Sequence, residues 1–548
     1  MKYIKSIKWI AIITAIVVIL AGCSGGGTKE TSSNSKNTND DTQNEPTKGG
    51  EFTFALATNP DNLDPHQAGY AVSVRAFRTM FDSLVVQNED NTISPWLATK
   101  WTISEDGKSY EFKLREDVKF HDGTPFNAEA VKYNFDRMVG PDIQPGYARY
   151  LLVDYESSEV IDEFTVKINL KNPNAAFLSF LSQGFIGMAS PTAAEAAGKQ
   201  FGMSPVGTGP FKFVKWVENS ELVVERNPDY NWGPAGIVEN QGPVHVDKIT
   251  FKIIPEEATR IGSVQSAQVL AGETVPPQNV LSMQNDPNVE LLQIDTKGLP
   301  YTLFFNQTRE PWSDVRAREA IKSALDIDAI VQTLYFGTYT RAWSPLAPGM
   351  LGYDESLEGS FSRDLDQANQ LLDELGYKMG ADGVRIKDGK KLAIQYLDAS
   401  PNREKRNDIA IMVQQQLKEI GIEVNIEITQ DITTAITNLN YDVYGNSAVN
   451  SDSHGLYQFY HSPIPNQIFL PGKSEDEELD SLLEKGGIEQ DQEKREELYK
   501  QAQQRIMESV VSIPIYVFPY TVAAHKSVDG IKFDRLGYPL FNDVSISK

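Results

Sequence analysis

One cysteine stands in a chain of 548 residues, so no intrachain disulfide can form and no thiolate cluster can hold a metal. Histidine is scarce too, with six in all, and no His-Glu-x-x-His pair sets two imidazoles on one helix face. His454 and His461 have a spacing that suits a shared face. A Tyr-Gln-Phe-Tyr run lies between them, however, and no carboxylate sits three or four residues from both, which argues against a metal pair. There is no Gly-x-x-x-x-Gly-Lys-[Ser/Thr] loop, no Gly-x-Ser-x-Gly elbow and no dinucleotide fingerprint. Gly207-Thr-Gly-Pro210 is glycine-rich but runs directly into Phe211-Lys-Phe-Val, a strand pattern, and reads as a structural turn. The residues therefore give catalysis no foothold and imply no cofactor. Positive charge is short as well: 51 basic against 75 acidic residues leave a formal charge of −24. A surface of that sign repels phosphate backbones, which excludes nucleic acid as a partner.

Long apolar runs are confined to the beginning. Lys2, Lys5 and Lys8 precede a stretch from Trp9 to Leu20, well short of the ~20 residues a membrane span needs. It reads as a secretory signal, residues 1–22. Leu20-Ala21-Gly22-Cys23 matches the lipobox of bacterial lipoproteins, and the sole cysteine occupies the position that receives the lipid. Acyl chains contribute about 0.8 kcal/mol per buried methylene, enough to hold even an acidic chain at the outer face of a cell membrane. Residues 24–48 are Gly, Ser, Thr, Asn and charge without apolar periodicity, and are expected to form a disordered tether.

The remainder has the material for packed cores, since 40% of the chain is hydrophobic. Its length suggests about three folded units. Glu51–Ala57 alternates as a strand, Val72–Leu84 has helical spacing, and Tyr110, Phe112 and Leu114 alternate after a turn at Glu105-Asp106-Gly107-Lys108. Asn127 is placed to cap a helix over Ala128–Met138. Later segments, Leu365–Leu375 ending at Gly376 and Ile409–Ile420 ending at Gly421 before a strand at Glu423, follow the grammar of layered α/β domains. Val510–Ala523 is apolar and β-like and is expected to rejoin a sheet formed earlier.

Several spaced segments resemble the family 5 extracellular solute-binding proteins, the peptide- and nickel-type receptors of ABC importers. They are Trp96-Leu-Ala-Thr-Lys-Trp101, Glu105–Arg115, Val118-Lys-Phe-His-Asp-Gly-Thr-Pro-Phe-Asn-Ala-Glu-Ala-Val131, Pro205–Phe211, Asn227-Pro-Asp-Tyr230, and Asn306 followed by Pro311–Ala320. The resemblance implies an α/β, class II clam-shell fold of two lobes with an inserted third subdomain. On this chain the first lobe falls at 49–295 plus 511–548, with its insertion near 85–200, and the second at 296–510. It also implies a non-enzymatic, monomeric receptor that captures short peptides and delivers them to the permease subunits of an importer. The alternative solutes on the same fold are a nickel or other metal chelate, an opine or glutathione.

By the same resemblance the loop after the first strand lines the cleft, which points to Gly69, Tyr70 and Ala71. A second lining segment contains Asn446 and Ser447, and Asp452 is the candidate partner of a ligand's α-ammonium. The competing reading of Asp452 is a cap for a helix starting near His454. Relatives usually carry a tryptophan where this chain has Ser447 and Ala448, so aromatic stacking on the ligand is not expected there. Arg149 is the residue available to a chelate's carboxylates under the alternative reading.

Overall fold

The computed structural model describes residues 48–462 and 472–547. The leader, Cys23 and the tether through residue 47 lie outside them. Two sheets organise the chain. The first has seven strands in the order Val289–Asp295, Pro519–His525, Ala271–Glu273, Glu51–Leu56, Lys248–Ile253, Glu221–Arg226 and Phe211–Val217. Glu51–Leu56 runs parallel to both of its neighbours. Phe52 and Phe54 point to the same face and meet Phe251 and Phe541 with ring centroids 5.4–6.0 Å apart. Four buried rings in one contact set supply a large apolar area, and each contributes about 1.5–3 kcal/mol on burial.

The second sheet has six strands, in the order Thr340–Arg341, Ser512–Val517, Gly298–Phe305, Val443–Val449, Ala393–Ala399 and Glu423–Thr429. Apolar clusters cover both of its faces: one holds Trp312, Ile321 and Val413, the other Phe304, Tyr444 and Phe459. A strand buried on both sides reads as a continuous apolar run rather than an alternating one. Gly298–Phe305, buried along its whole length, is such a run.

The chain passes between the sheets twice, at Thr296–Lys297 and at Phe518. The two crossings are joined, because Thr296 donates from its amide and its hydroxyl to the Phe518 carbonyl at 3.0 and 2.7 Å. Ser512–Val517 pairs with Gly298–Phe305 in the second sheet. The second passage thus comes at Phe518, not at the 510/511 boundary read from the sequence. That apolar stretch is two strands, one in each sheet.

The insertion carries a four-stranded antiparallel sheet of Ala98–Ile103, Ser109–Leu114, Thr165–Leu170 and Tyr155–Asp162. The helix Ala128–Val139 packs against it, capped by the Asn127 side chain, which accepts from Ala130 N at 3.0 Å. Phe112, Phe135 and Val166 belong to the same buried cluster as Phe52 and Phe54, so insertion and first lobe share one core. The helix expected over 72–84 covers only Ala71–Phe77. Beyond it the carbonyls of Thr79 and Met80 accept from Phe211 N and Gly209 N, both at 2.9 Å, which diverts the backbone from helical bonding. Gly209 is required there, since a Cβ would lie 2.5 Å from the Met80 carbonyl carbon. The Gly207–Pro210 segment is a packing turn.

Candidate functional site

The registers fix where a ligand has access. Val289–Asp295 and Ser512–Val517 end at the crossings, and Gly298–Phe305 and Pro519–His525 begin there. Propagating the pairings, Glu51–Leu56, Lys248–Ile253 and Ala271–Glu273 of the first sheet end on the crossing side. Val443–Val449, Ala393–Ala399 and Glu423–Thr429 of the second sheet do the same. Both lobes therefore turn the carboxyl ends of their parallel strands toward the junction, the position where open α/β sheets take ligands. The loops 57–70, 254–256, 400–405 and 450–454 follow those ends.

On the first lobe, loop 57–70 is held from below. Asp64, fully buried, receives Arg137 Nη2 at 2.6 Å and Nη1 at 3.0 Å, and that guanidinium keeps its carboxyl below the usual range despite burial. His66 donates from Nε2 to Gly187 O at 2.9 Å and accepts from Arg137 at Nδ1, 2.7 Å. Asp61 takes the Gly69 amide at 2.8 Å and Ser73 Oγ at 2.5 Å. The Gly69 N–H is thus committed within the loop. Tyr70 is 68% exposed, and Ala71 opens the helix Ala71–Phe77.

The short helix Tyr147–Leu151 docks on this loop through Tyr147 N to Ala68 O, 2.9 Å. Gly146 permits the contact: a Cβ there would lie 2.6 Å from His66 O and from Gln67 C. Tyr147 and Tyr150 stack at 5.4 Å, and Tyr147 meets Phe185 at 5.0 Å. Burial pushes the Tyr147 hydroxyl up to about 12 and raises that of Tyr150 further, although Tyr150 is 39% exposed.

On the second lobe, loop 400–405 carries Glu404 and Lys405 at positive φ and leads into Arg406 at the start of the helix Arg406–Lys418. Arg406 lies over the Tyr301 ring at 4.6 Å, binds Glu404 Oε2 at 2.7 Å and donates to Ser447 Oγ at 2.8 Å. Tyr516 OH donates to the same Glu404 oxygen at 2.9 Å. Arg406 Nη1 enters no hydrogen bond among the described residues. It is the free edge of a cation clamped by an acid, a ring and a hydroxyl. Asn446 turns its amide oxygen to Ser447 N at 2.8 Å, which fixes the end of Val443–Val449.

Two of the candidate residues are engaged within the chain. Asp452 is buried, with both carboxylate oxygens on the Arg495 guanidinium at 2.6 and 2.9 Å, and it also accepts from His454 N at 2.8 Å. That amide bond closes the turn before the helix Gly455–Tyr460, whose N-cap His454 makes no side-chain cap bond, and the Asp452 charge is already matched within the lobe. Arg149 donates to Met138 O at 3.4 Å and to Gly140 O, so its guanidinium serves the carboxyl end of Ala128–Val139. His454 and His461 flank the Tyr457 ring at 5.2 and 4.4 Å. Arg406, Tyr147 and Tyr150 are candidates that the structure adds to those read from the sequence. The signal for Arg406 was a charged turn, Arg403-Glu-Lys-Arg406, between an apolar strand and an amphipathic helix.

Residues 92–467 match the family model of the bacterial extracellular solute-binding proteins, family 5. The glutathione-binding protein GsiB of Escherichia coli is 28% identical over 493 residues, 88% of this chain and 91% of that protein. Among solved structures, the periplasmic binding protein DppA of Helicobacter pylori in complex with the peptide STSA superposes with a TM-score of 0.76 at 25% identity, covering 92% of this chain and 99% of that one. NikA of Brucella suis in complex with Fe(III)-EDTA gives 0.79 at 26% identity, covering 91% of this chain and 100% of that one.

Proposed function

The chain belongs to the bacterial extracellular solute-binding proteins of family 5, and from that premise we propose that it captures short peptides between its lobes for an ABC importer. The family binds solutes and does not convert them, which agrees with the missing catalytic motifs. No described helix is long and apolar enough to cross a membrane; the lipobox ending at Cys23 supports retention at the cell surface by a lipid on that residue. In this reading loop 57–70, with Tyr70 and Ala71, and the tyrosines at 147 and 150 form one wall. Asn446, Ser447 and Arg406 form the other. Asp452 acts by holding Arg495 and the turn at 450–454, and meets a ligand ammonium only if that pair opens.

The observation that supports the reading is the Nη1 of Arg406, left without a hydrogen bond among the described residues at the carboxyl-end loops of the second sheet. A guanidinium held by Glu404 and Tyr301 loses little freedom on taking a carboxylate, and a charge-assisted contact of this kind is worth about 1.5–3 kcal/mol. Aromatic walls accept varied side chains without fixing their identity. Calorimetry with di- to pentapeptides and glutathione is expected to show binding that C-terminal amidation weakens by about 10–100-fold. Arg406→Ala removes that discrimination. No heat with any peptide, or equal affinity for acid and amide, overturns the reading. The same cation suits an anionic chelate, so Fe(III)-EDTA is the competing arm of the titration.

A further inference from the structure

One buried cation of the described residues has neither a salt bridge nor a full set of hydrogen-bond acceptors. Three buried arginines of the described residues, Arg260, Arg318 and Arg535, enter no salt bridge. Two are nevertheless satisfied. Arg260 donates from all three nitrogens to the carbonyls of Glu273, Ile254, Pro255 and Thr274 at 2.8–3.1 Å. Arg318 does the same toward Val510, Trp312, Ser313 and Ser509 at 2.6–3.0 Å.

Arg535 differs. Its Nη2 donates to Gly349 O at 2.7 Å and to Asn91 Oδ1, but Nε and Nη1 find no partner, and the residue is only 3% exposed. A buried guanidinium in that condition destabilises the fold unless something fills the gap. A small cavity of about 10 Å³ lies against it, lined by Arg78, Gln87, Ser182 and Asp534 as well. That is the room of one water-sized particle.

The second arginine on the cavity, 4% exposed, also has an unpartnered Nε. Its other nitrogens hold Ser83 Oγ at 2.8 Å and Ser182 O at 3.0 Å. Asp534 is the one carboxylate on the lining, 3.9 Å from Arg78 Nε. One of its oxygens already accepts the amides of Leu536 and Tyr538 at 3.0 and 2.9 Å. Asp82 also acts on Arg78, and Glu89 on Arg535, but three guanidinium nitrogens beside the cavity have no hydrogen-bond acceptor. Burial holds both arginines below their ordinary range, against the opposing pull of Asp534 and Asp82 on Arg78 and of Glu89 on Arg535.

We propose that this cavity is a binding site for a single monoatomic monovalent anion, chloride under ordinary conditions, held by Arg535 Nε and Nη1 and Arg78 Nε. Polyatomic anions such as sulfate or acetate exceed the space. Because Arg535 also holds Gly349 of the second lobe and Asn91 of the insertion, the ion neutralises the residue that joins three segments of the chain.

Crystals of the unaltered protein soaked in sodium bromide test this directly, with an anomalous peak expected between Arg78 and Arg535. In solution, replacing acetate by chloride at fixed ionic strength is expected to raise Tm by about 2 °C with saturation. Arg535→Met abolishes the chloride response. A peak without anomalous signal identifies water and overturns the proposal. So does bromide density accompanied by an anion-independent Tm, which would mark an adventitious ion only. The diffraction arm needs no variant, so poor folding of Arg535→Met leaves the test intact.

Discussion

Asp452 and Arg495 illustrate how burial decides what a charge can do. The two oxygens face the two terminal nitrogens of one guanidinium, a fork geometry that fixes both partners. Removing the acid strands a buried cation. Asp452→Ala is therefore expected to lower unfolding stability by about 3–5 kcal/mol, measured by denaturant titration, while Asp452→Asn costs less because one hydrogen bond survives. The guanidinium holds the Asp452 carboxyl below its ordinary value. Its stabilisation is thus present above about pH 4 and is lost only as the pH falls further.

The histidines respond sooner. His66 must be neutral to accept from Arg137 at Nδ1, and His121 accepts the Gly207 amide at Nδ1 while donating from Nε2 to Gly209 O. Burial holds both rings at about 4, below their ordinary 6.5. The unfolded chain takes up protons near 6.5 and the folded chain near 4. Stability is then full above about pH 6.5 and declines as the pH drops toward 4, by up to roughly 3 kcal/mol per ring. Unfolding midpoints at pH 8, 5.5 and 4.5 check this slope, which His121→Gln should reduce.

Among the elements, the helix Tyr147–Leu151 depends on Gly146 for its seat. Gly146→Ala sets a methyl against the backbone of His66 and Gln67 and lifts the tyrosine pair from loop 57–70. A loss of about 1–3 kcal/mol in stability is expected, with a fall in ligand affinity that titration calorimetry detects. Much at this scale was legible locally. The Asn127 cap and the glycines at 376 and 421, both at positive φ, mark real ends because capping chemistry acts within a few residues. The overrun of the helix at Phe77 has a distant cause, since the groups that divert it belong to Gly209 and Phe211. Likewise Arg495 lies 43 positions from Asp452, so no local pattern announced their pairing. The turn that presents Arg406 was visible as charge between two apolar elements, but its orientation came from Tyr301 and Ser447 on other strands.

For the whole molecule, two crossings joined at Thr296 and Phe518 allow the lobes to rotate about a short, hydrogen-bonded seam. Enclosure of a ligand gains contacts to both lobes and shifts the equilibrium toward the closed form. X-ray scattering is expected to show a smaller radius of gyration on adding a bound peptide, and an unchanged radius would contradict closure. Side-chain contacts already link the halves, with Gln183 Nε2 on Ser451 Oγ at 2.9 Å. Gln183→Ala should therefore favour the open form and weaken peptide affinity by about 3–10-fold.

The first described residues have a mechanical consequence of their own. Gly49 N binds His245 O and Gly50 N binds Asp247 Oδ2, both at 2.8 Å, so the leading end is sewn to the seven-stranded half. Any leash pulling on that end bears on this half alone. On the reading proposed above, the six-stranded half would then be the jaw that swings, and a membrane partner would sense cargo by where that jaw comes to rest.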